Sequence, residues 1–266
     1  MRHTGIRKVG LVVCLFAGQL ALGCAKDGGS AMELAVGPAP GRRPPASTRV
    51  DSTAHGTGAD TARQAPAGNT YLALGDSYTI GQSVSVQDRY PVQTAALLAA
   101  LGDTVAAPEI IAITGWTTAN LLNALATTPP KRTTYGRVTL LIGVNNQFQG
   151  GSLSDYQAQF TTLLQQSIHL AGDTPRHVIV LSIPDYADSF YGQSRPDTAR
   201  ISSQIDQFNA ANLQISQQLG VQYLYITDLT RQAEGDTSLF ASDGLHYSGK
   251  EMALWAARLV KLWPAQ

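Results

Sequence analysis

The chain has 266 residues, of which 44% are hydrophobic and 14% are charged, and its formal net charge at pH 7 is zero. The charged share lies below the roughly 25% of an average soluble protein, and the sequence contains no basic block. Binding to nucleic-acid phosphates therefore has no electrostatic basis, and we expect no nucleic-acid partner.

The N-terminus has the pattern of an export signal. Basic residues near the start precede an apolar run over residues 9–22, which is shorter than the roughly 20 residues that a membrane-spanning helix needs. The segment Leu20-Ala-Leu-Gly-Cys24 then resembles a bacterial lipobox, whose cysteine becomes the lipidated first residue. We expect residues 1–23 to be removed and Cys24 to anchor the chain to a membrane of the cell envelope. The alternative is ordinary secretion into the periplasm or the medium.

The next segment, residues 24–68, is rich in Gly, Pro, Ala, Ser and Thr and has little apolar periodicity. Such a segment cannot bury enough apolar surface to offset the entropy lost on ordering. We predict a flexible tether here and a single folded domain over residues 69–266.

Short apolar runs, typical of buried strands, alternate with helical patterns through the predicted domain. The predicted strands are residues 71–75, 110–113, 138–142, 177–181 and 222–226. Helices are predicted from Pro91 to Leu101, from Thr117 or Thr118, after a cap at Ser154, before Gly220, and at the C-terminus. Residues 227–247 are predicted to be a polar connection. This alternation predicts a three-layer α/β/α domain around a mostly parallel, flavodoxin-like sheet of about five strands.

Polar residues follow several of these strands at the edge where the carboxyl ends of parallel strands meet. Ser77 comes directly after the first strand, Gly115 after the second and Asn145 after the third. A serine there could attack a carbonyl carbon, and the backbone N–H groups of Ser77 and Gly115, with the Asn145 amide, could bind the resulting oxyanion. Read singly, each of these residues is also a common turn former.

A serine nucleophile needs a base, and His246 is the histidine best placed to serve. It lies in a polar loop before the last helix, three residues after Asp243. A carboxylate at this spacing can orient the imidazole and stabilise its charged form. The two residues could instead be a loop-capping carboxylate and a helix N-terminal residue.

Four sequence blocks together resemble the signature of the SGNH (GDSL) hydrolase superfamily. They are Gly75-Asp-Ser77, the glycine of Thr114-Gly-Trp116, Gly143-Val-Asn145 and Asp243-Gly-Leu-His246, in this order. The resemblance implies the SGNH hydrolase fold, with Ser77 as nucleophile, His246 as base and Asp243 as its partner. It also implies an oxyanion hole formed by Ser77, Gly115 and Asn145.

Two further residues are predicted to contact substrate. Trp116 could form a wall of the substrate pocket, although a core position would suit it equally well. Asn146 stands where the resembled family often has aspartate, and this change could alter how its loop is braced.

We therefore predict a metal-independent serine esterase that forms an acyl-enzyme and uses no cofactor. The Asp243/His246 pair has too few partners for a metal site, and the sequence lacks a P-loop. No apolar insertion indicates a lipid-binding lid, which favours short-chain or acetyl esters over lipids. The alternatives are a lysophospholipase or thioesterase, and a noncatalytic envelope protein that binds a glycan or lipid. The sequence predicts no oligomeric state.

Overall fold

The structure is a computed structural model that describes residues 67–263. The predicted signal segment, Cys24 and nearly all of the predicted tether lie outside these residues, so the predictions made for them stand as predictions. Between residues 67 and 263, no helix is long and apolar enough to cross a membrane.

Five parallel strands form the central sheet, in the order β2-β1-β3-β4-β5. This is the flavodoxin-like order, and the predicted fold class is confirmed. Every residue of β1, β3 and β4 is buried, and most of these residues are apolar, because the central strands are covered on both faces. The strands are β1 (Tyr71–Gly75), β2 (Glu109–Ala112), β3 (Arg137–Leu141), β4 (Val178–Leu181) and β5 (Gln222–Leu224).

The helices of the described residues range from one turn to 21 residues in length. They are α1 (Ser77–Ile80), α2 (Tyr90–Ala100), α3 (Thr118–Thr127), α4 (Val144–Phe148), α5 (Leu153–Leu170), α6 (Phe190–Gln193), α7 (Thr198–Gln218), α8 (Thr227–Gln232) and α9 (Gly249–Leu259). Helices α2 and α9 pack together, and α5 packs against both α3 and α7. The crossover from β1 to β2, which contains α2, runs in the opposite direction to the crossovers that lead to β3, β4 and β5. Because parallel crossovers are right-handed, α2 and α9 lie on one face of the sheet and α3, α5 and α7 lie on the other.

The structure corrects two of the predictions made for the helices and decides between two predicted starts of a third. Ser152, not Ser154, caps α5, because the Ser152 hydroxyl accepts a hydrogen bond from the Asp155 N–H at 3.1 Å. Residues 227–232, predicted to be a polar connection, form α8 instead. Thr117 caps α3 in a capping box with Asn120, as one of the two predicted alternatives.

The register of the sheet sets where the functional loops begin. Gly75, the last residue of β1, pairs with Ala112 of β2 on one side and with Leu141 of β3 on the other. The turn after β1 therefore lies between the loops that follow β2 and β3. The predicted functional residues of these three loops are brought to one edge of the sheet.

At the opposite edge, the fully buried side chain of Arg137 connects both ends of the described chain. Its guanidinium donates to the Gly68 carbonyl at 2.8 Å, forms an ion pair with Asp103 and lies over the Trp263 ring. Burial lowers the pKa of Arg137, and the Asp103 carboxylate opposes that shift. The contacts of Arg137 thus stabilise the edge that lies away from the functional loops.

Candidate active site

Ser77 is the first residue of α1 and follows directly on the turn that ends β1. The Asp76 carboxylate caps this one-turn helix by accepting a hydrogen bond from the Tyr78 N–H at 3.0 Å. A Cβ atom on Gly75 would lie 2.1 Å from Thr79 Oγ1 and 2.4 Å from the Leu141 carbonyl oxygen. Only glycine fits so close to both neighbours, and the turn holds Ser77 in one place, with 3% of its surface exposed.

The Asp76 carboxyl is buried beside the nucleophile. Burial raises the pKa of Asp76 to about 7, although backbone N–H groups, including those of Tyr78 and Gly143, act to lower it. Its second oxygen, Oδ2, has no hydrogen-bond partner. Asp76 is therefore a carboxyl group that changes charge close to neutral pH.

His246 and Asp243 form the pair that their spacing predicts. Asp243 Oδ2 lies 2.8 Å from His246 Nδ1, and Asp243 Oδ1 accepts hydrogen bonds from the backbone N–H groups of Leu245 and His246, both at 2.9 Å. Partial burial raises the pKa of Asp243, but these bonds and a hydrogen bond from Ser83 outweigh it and hold the pKa at about 2. The carboxylate is ionised at neutral pH and can fix the orientation of the imidazole.

The ring of His246 lies beside the nucleophile helix. It packs edge to face on the Tyr78 ring, with 5.5 Å between the ring centroids. Both His246 and Ser77 line the same pocket. The structure has no hydrogen bond between the His246 ring and the Ser77 hydroxyl. Such bonds often tighten only when substrate is bound.

The loop after β2 presents Gly115, whose φ of 84° favours glycine. Two side-chain amides that follow β3 hold this loop by its carbonyl groups. Gln149 Nε2 donates to the Gly115 carbonyl at 3.1 Å, and Asn145 Nδ2 donates to the Trp116 carbonyl at 3.0 Å. An amide group has two N–H donors, so one on Asn145 remains for a ligand.

Asn146 and Trp116 do not line the pocket that contains Ser77, so the structure does not bring these two predicted residues together with the nucleophile. Asn146 Oδ1 accepts from the Thr118 N–H at 3.0 Å, and Asn146 Nδ2 donates to the Thr118 hydroxyl at 2.8 Å. Asn146 therefore braces the start of α3. The Trp116 side chain lines a separate groove between β2 and α3.

The pocket beside Ser77 has a volume of about 110 Å³. Its exposed lining is mainly apolar and comes from the segments after β1, β2 and β3, from Tyr186 after β4 and from the Asp243/His246 loop. The lining residues are Ser77, Tyr78, Thr114, Gly115, Val144, Asn145, Phe148, Tyr186, Leu245 and His246. The structure thus places four of the predicted site residues, Ser77, Gly115, Asn145 and His246, around one cavity, with Asp243 hydrogen-bonded to His246 behind it.

A second, mostly polar depression of about 310 Å³ shares the side chains of Phe148 and Tyr186 with this pocket. Arg195, Arg200 and Gln204 are among its other lining residues. Phe148 stacks edge to face on Tyr186 at 5.7 Å and is half exposed. The site therefore has an apolar pocket at the serine and a polar surface next to it.

Sequence analysis did not identify Ser83, Gln149 or Tyr186 as functional candidates. Ser83 donates a hydrogen bond to Asp243 across 160 residues of sequence, and no local pattern indicates such a contact. Gln149 lies four residues after Asn145, the spacing of one helical turn, which could have indicated a shared role. Among residues 67–263, no group of three or more His, Cys, Asp or Glu side chains is arranged to hold a metal ion.

The sheet order defines a flavodoxin-like α/β domain, and the candidate functional residues lie at the carboxyl ends of its strands. The GDSL-like lipase/acylhydrolase family matches residues 73–253, and the chain belongs to this family. The family membership predicted from the four sequence blocks is confirmed, and the protein is a hydrolase of ester bonds. A comparison with curated proteins finds no match.

Solved structures with the same fold include three named ester hydrolases. An acetylxylan esterase from Geobacillus stearothermophilus is 16% identical, with a TM-score of 0.56 over 75% of this chain and 95% of that one. A lipase/acylhydrolase from Enterococcus faecalis is 22% identical, with a TM-score of 0.54 over 72% and 94% of the two chains. A psychrotrophic esterase from Pseudoalteromonas sp. is 20% identical, with a TM-score of 0.51 over 73% and 95%. At these identities the similarity establishes the fold.

Proposed function

We propose that this protein is a serine-dependent carboxylic-ester hydrolase that forms an acyl-enzyme on short-chain or acetyl esters. The observation that carries the proposal is the meeting of Ser77, His246, Gly115 and Asn145 around one pocket, with Asp243 bonded to the far side of the imidazole. Each group matches one requirement of acyl transfer: a nucleophile, a base, oxyanion donors and an orienting carboxylate.

In the first half of the reaction, Ser77 Oγ attacks the carbonyl carbon of the ester while His246 Nε2 takes the hydroxyl proton. The Asp243 carboxylate stabilises the resulting imidazolium through Nδ1. The tetrahedral oxyanion accepts hydrogen bonds from the N–H groups of Ser77 and Gly115 and from the Asn145 amide. The bond to the alcohol oxygen then breaks, and His246 gives its proton to the departing alcohol.

In the second half, a water molecule replaces the alcohol. His246 takes a proton from the water, whose oxygen attacks the acyl carbon that is bonded to Ser77. The same donors bind the second oxyanion, and the bond to Ser77 Oγ breaks as the imidazolium returns the proton to it. The products are a carboxylic acid and the free serine.

The two cavities support a short acyl group and a polar alcohol. The pocket of about 110 Å³ beside Ser77 is small, and its exposed lining is largely apolar. The larger polar depression lies beyond Phe148 and Tyr186, where the alcohol part of an ester could extend. The solved structure of an acetylxylan esterase, an enzyme named for an acetylated glycan, has the same fold and is consistent with this division.

A series of p-nitrophenyl esters from acetate to palmitate, with acetylated sugars alongside, tests the proposed substrate class. We expect kcat/KM to be highest for acetate to butyrate and to fall steeply as the acyl chain outgrows the pocket. A maximum at long chains would favour the lysophospholipase or thioesterase alternative. An intact protein that hydrolyses no ester would favour the noncatalytic binding protein.

We also propose that the mature protein is exported and lipid-anchored at Cys24. The basic start, the short apolar run and the Leu20-Ala-Leu-Gly-Cys24 segment support this proposal. Cells expressing the full chain and fed radioactive palmitate should yield a labelled protein in the membrane fraction, with the label lost in Cys24→Ala. An unlabelled wild-type protein in the soluble fraction would indicate ordinary secretion.

A further inference from the structure

The loop after α1 contacts both of the other loops that the reaction needs. Ser83 Oγ donates to Asp243 Oδ2 at 2.6 Å, and the Thr114 hydroxyl donates to Gln82 Oε1, also at 2.6 Å. Two adjacent residues thus connect to the loop that holds the carboxylate and to the loop that holds Gly115.

The backbone fastens this segment to the nucleophile itself. The N–H groups of Gly81 and Gln82 both donate to the Ser77 carbonyl oxygen, the second at 2.9 Å. A shift of Ser77 would therefore be passed through these hydrogen bonds to the segment that carries the side chains of Gln82 and Ser83.

Ser83 has an unusual backbone conformation for its residue type. Its φ is 64°, and Asp173 is the other non-glycine residue with positive φ in the described part of the chain. A serine in this region is strained relative to glycine, so a conformational preference does not explain why serine stands here. The hydroxyl group, which glycine lacks, makes the contact with Asp243.

Ser83 and His246 bind the same carboxylate oxygen. Asp243 Oδ1 is held by the backbone N–H groups of Leu245 and His246, whereas Asp243 Oδ2 receives the Ser83 hydroxyl and faces His246 Nδ1. The backbone bonds keep the carboxylate in place without Ser83. The Ser83 hydroxyl restricts the rotation of the Asp243 carboxylate and reduces the negative charge that is available to stabilise the imidazolium.

We propose that Gln82 and Ser83 form a positioning element for ester hydrolysis. Ser83 orients and partly neutralises the Asp243 carboxylate, and Gln82 holds Thr114 in the loop after β2 that contains Gly115. This inference rests on the proposed function. It adds two residues that act through Asp243 and Thr114 and that do not contact the reacting atoms.

Other titratable groups surround the Asp243/His246 pair and are shared by every variant below. Burial raises the pKa of Tyr78 on α1 and of Tyr186 after β4, so both rings stay neutral in the working range. Burial raises the pKa of Asp76, beside Ser77, to about 7. Arg89 lies against Gly81 in the same loop. A change seen in Ser83→Gly but not in Ser83→Thr therefore reports the lost hydroxyl.

Two substitutions of Ser83 separate the hydroxyl from the backbone. Ser83→Gly suits the positive φ but removes the hydroxyl, whereas Ser83→Thr keeps a hydroxyl but adds a β-branch where positive φ is most costly. A matched control is Ser85→Ala, because Ser85 lies in the same loop and bonds Asp88 on the surface.

We expect Ser83→Gly to lower kcat and to shift the acid limb of the kcat/KM pH profile to higher pH by roughly half a unit. The reason is that the full charge of Asp243 then acts on His246. Ser83→Thr should keep the wild-type pH profile and lose thermal stability, and Ser85→Ala should match the wild type in both. Gln82→Met should lower kcat with little change in KM. The inference is overturned if Ser83→Gly keeps the wild-type pH profile, or if Ser83→Thr shifts it instead.

An NMR titration of the His246 ring gives the same answer without turnover. Its midpoint should rise in Ser83→Gly and stay unchanged in Ser83→Thr. If the wild-type protein hydrolyses no ester, the proposed function fails while this titration still tests the contact. If the wild type is active and the titration does not move in Ser83→Gly, only the inference on Ser83 fails.

Discussion

Asn145 Nδ2 donates a hydrogen bond to the Trp116 carbonyl oxygen at 3.0 Å and so joins the loop after β3 to the loop after β2. The bond uses one of the two amide N–H groups and directs the other. Because the neighbouring residue Gly115 supplies a second predicted donor, this contact sets the spacing between two donors of the proposed oxyanion hole.

Asn145→Ala should therefore lower kcat by about 10²- to 10³-fold, with a much smaller change in KM, because an oxyanion donor acts mainly in the transition state. Steady-state kinetics on p-nitrophenyl acetate measure the effect. The neighbouring Asn146→Ala is the matched control: it should destabilise the start of α3 while leaving kcat within a few-fold of the wild type. Equal losses in both variants would contradict the assignment of Asn145.

Asp243→Asn should reduce kcat by about 10⁴-fold, because an amide cannot stabilise the imidazolium and favours the wrong tautomer. The pKa of Asp243 is about 2 and lies far below the working range, so this carboxylate does not itself produce the acid limb of the pH profile. Asp236→Asn serves as the control, since Asp236 pairs with Lys250 on the surface. Near-normal turnover by Asp243→Asn would show that another group orients His246.

Asp76 should make the stability of the fold depend on pH. Its folded pKa of about 7 lies above the ordinary value of 3.8, so the folded state binds the proton more tightly than the unfolded chain. The contribution of Asp76 to the free energy of unfolding is therefore present at low pH and is lost as pH rises from about 4 to 7, by at most about 4 kcal/mol.

Urea denaturation at a series of pH values tests this contribution. In Asp76→Asn, which cannot ionise, the decline in stability between about pH 4 and pH 7 should be reduced relative to the wild type. The variant should also gain stability relative to the wild type above pH 7. Parallel pH profiles for the two proteins would show that the Asp76 carboxyl is not held neutral by burial.

The buried Arg137 should make Asp103 essential for stability, although both lie far from the loops of the active site. Asp103→Asn leaves a buried guanidinium without its ion-pair partner, and such losses typically cost about 3–5 kcal/mol. Adding Arg137→Met removes the stranded charge, so the double variant should recover part of the lost stability. Denaturation midpoints of the four proteins measure the coupling, and strictly additive losses would contradict it.

The fold could be predicted because its evidence is local. Apolar runs ended by glycine or polar turns predicted all five strands to within a few residues, and their alternation with helices predicted the parallel sheet. Helix α8 was missed because its segment, Thr227–Gln232, is largely polar and its buried positions include Thr227 and Thr230. The hydroxyls of those buried threonines make hydrogen bonds with Ser182 and Asp185, which are distant in sequence.

The candidate site was only partly predictable for the same reason. Ser77, Asp243 and His246 stand in short sequence blocks. The contact of Ser83 with Asp243 depends instead on the positive φ of Ser83 and on the contact between two loops that are distant in sequence. Asn146 shows the limit of proximity in sequence. It follows Asn145 directly, but the helical turn of α4 directs it to Thr118 and away from the pocket.

The most direct test of the central claim is covalent labelling of the purified protein with a fluorophosphonate probe, followed by intact-mass and peptide analysis. The wild type should gain the mass of one probe on the peptide that contains Ser77 and should lose its hydrolysis of p-nitrophenyl acetate in proportion. Ser77→Ala should keep the wild-type melting temperature, remain unlabelled and be inactive. A folded wild-type protein that never reacts at Ser77, or a Ser77→Ala variant that still hydrolyses the ester, would contradict the account.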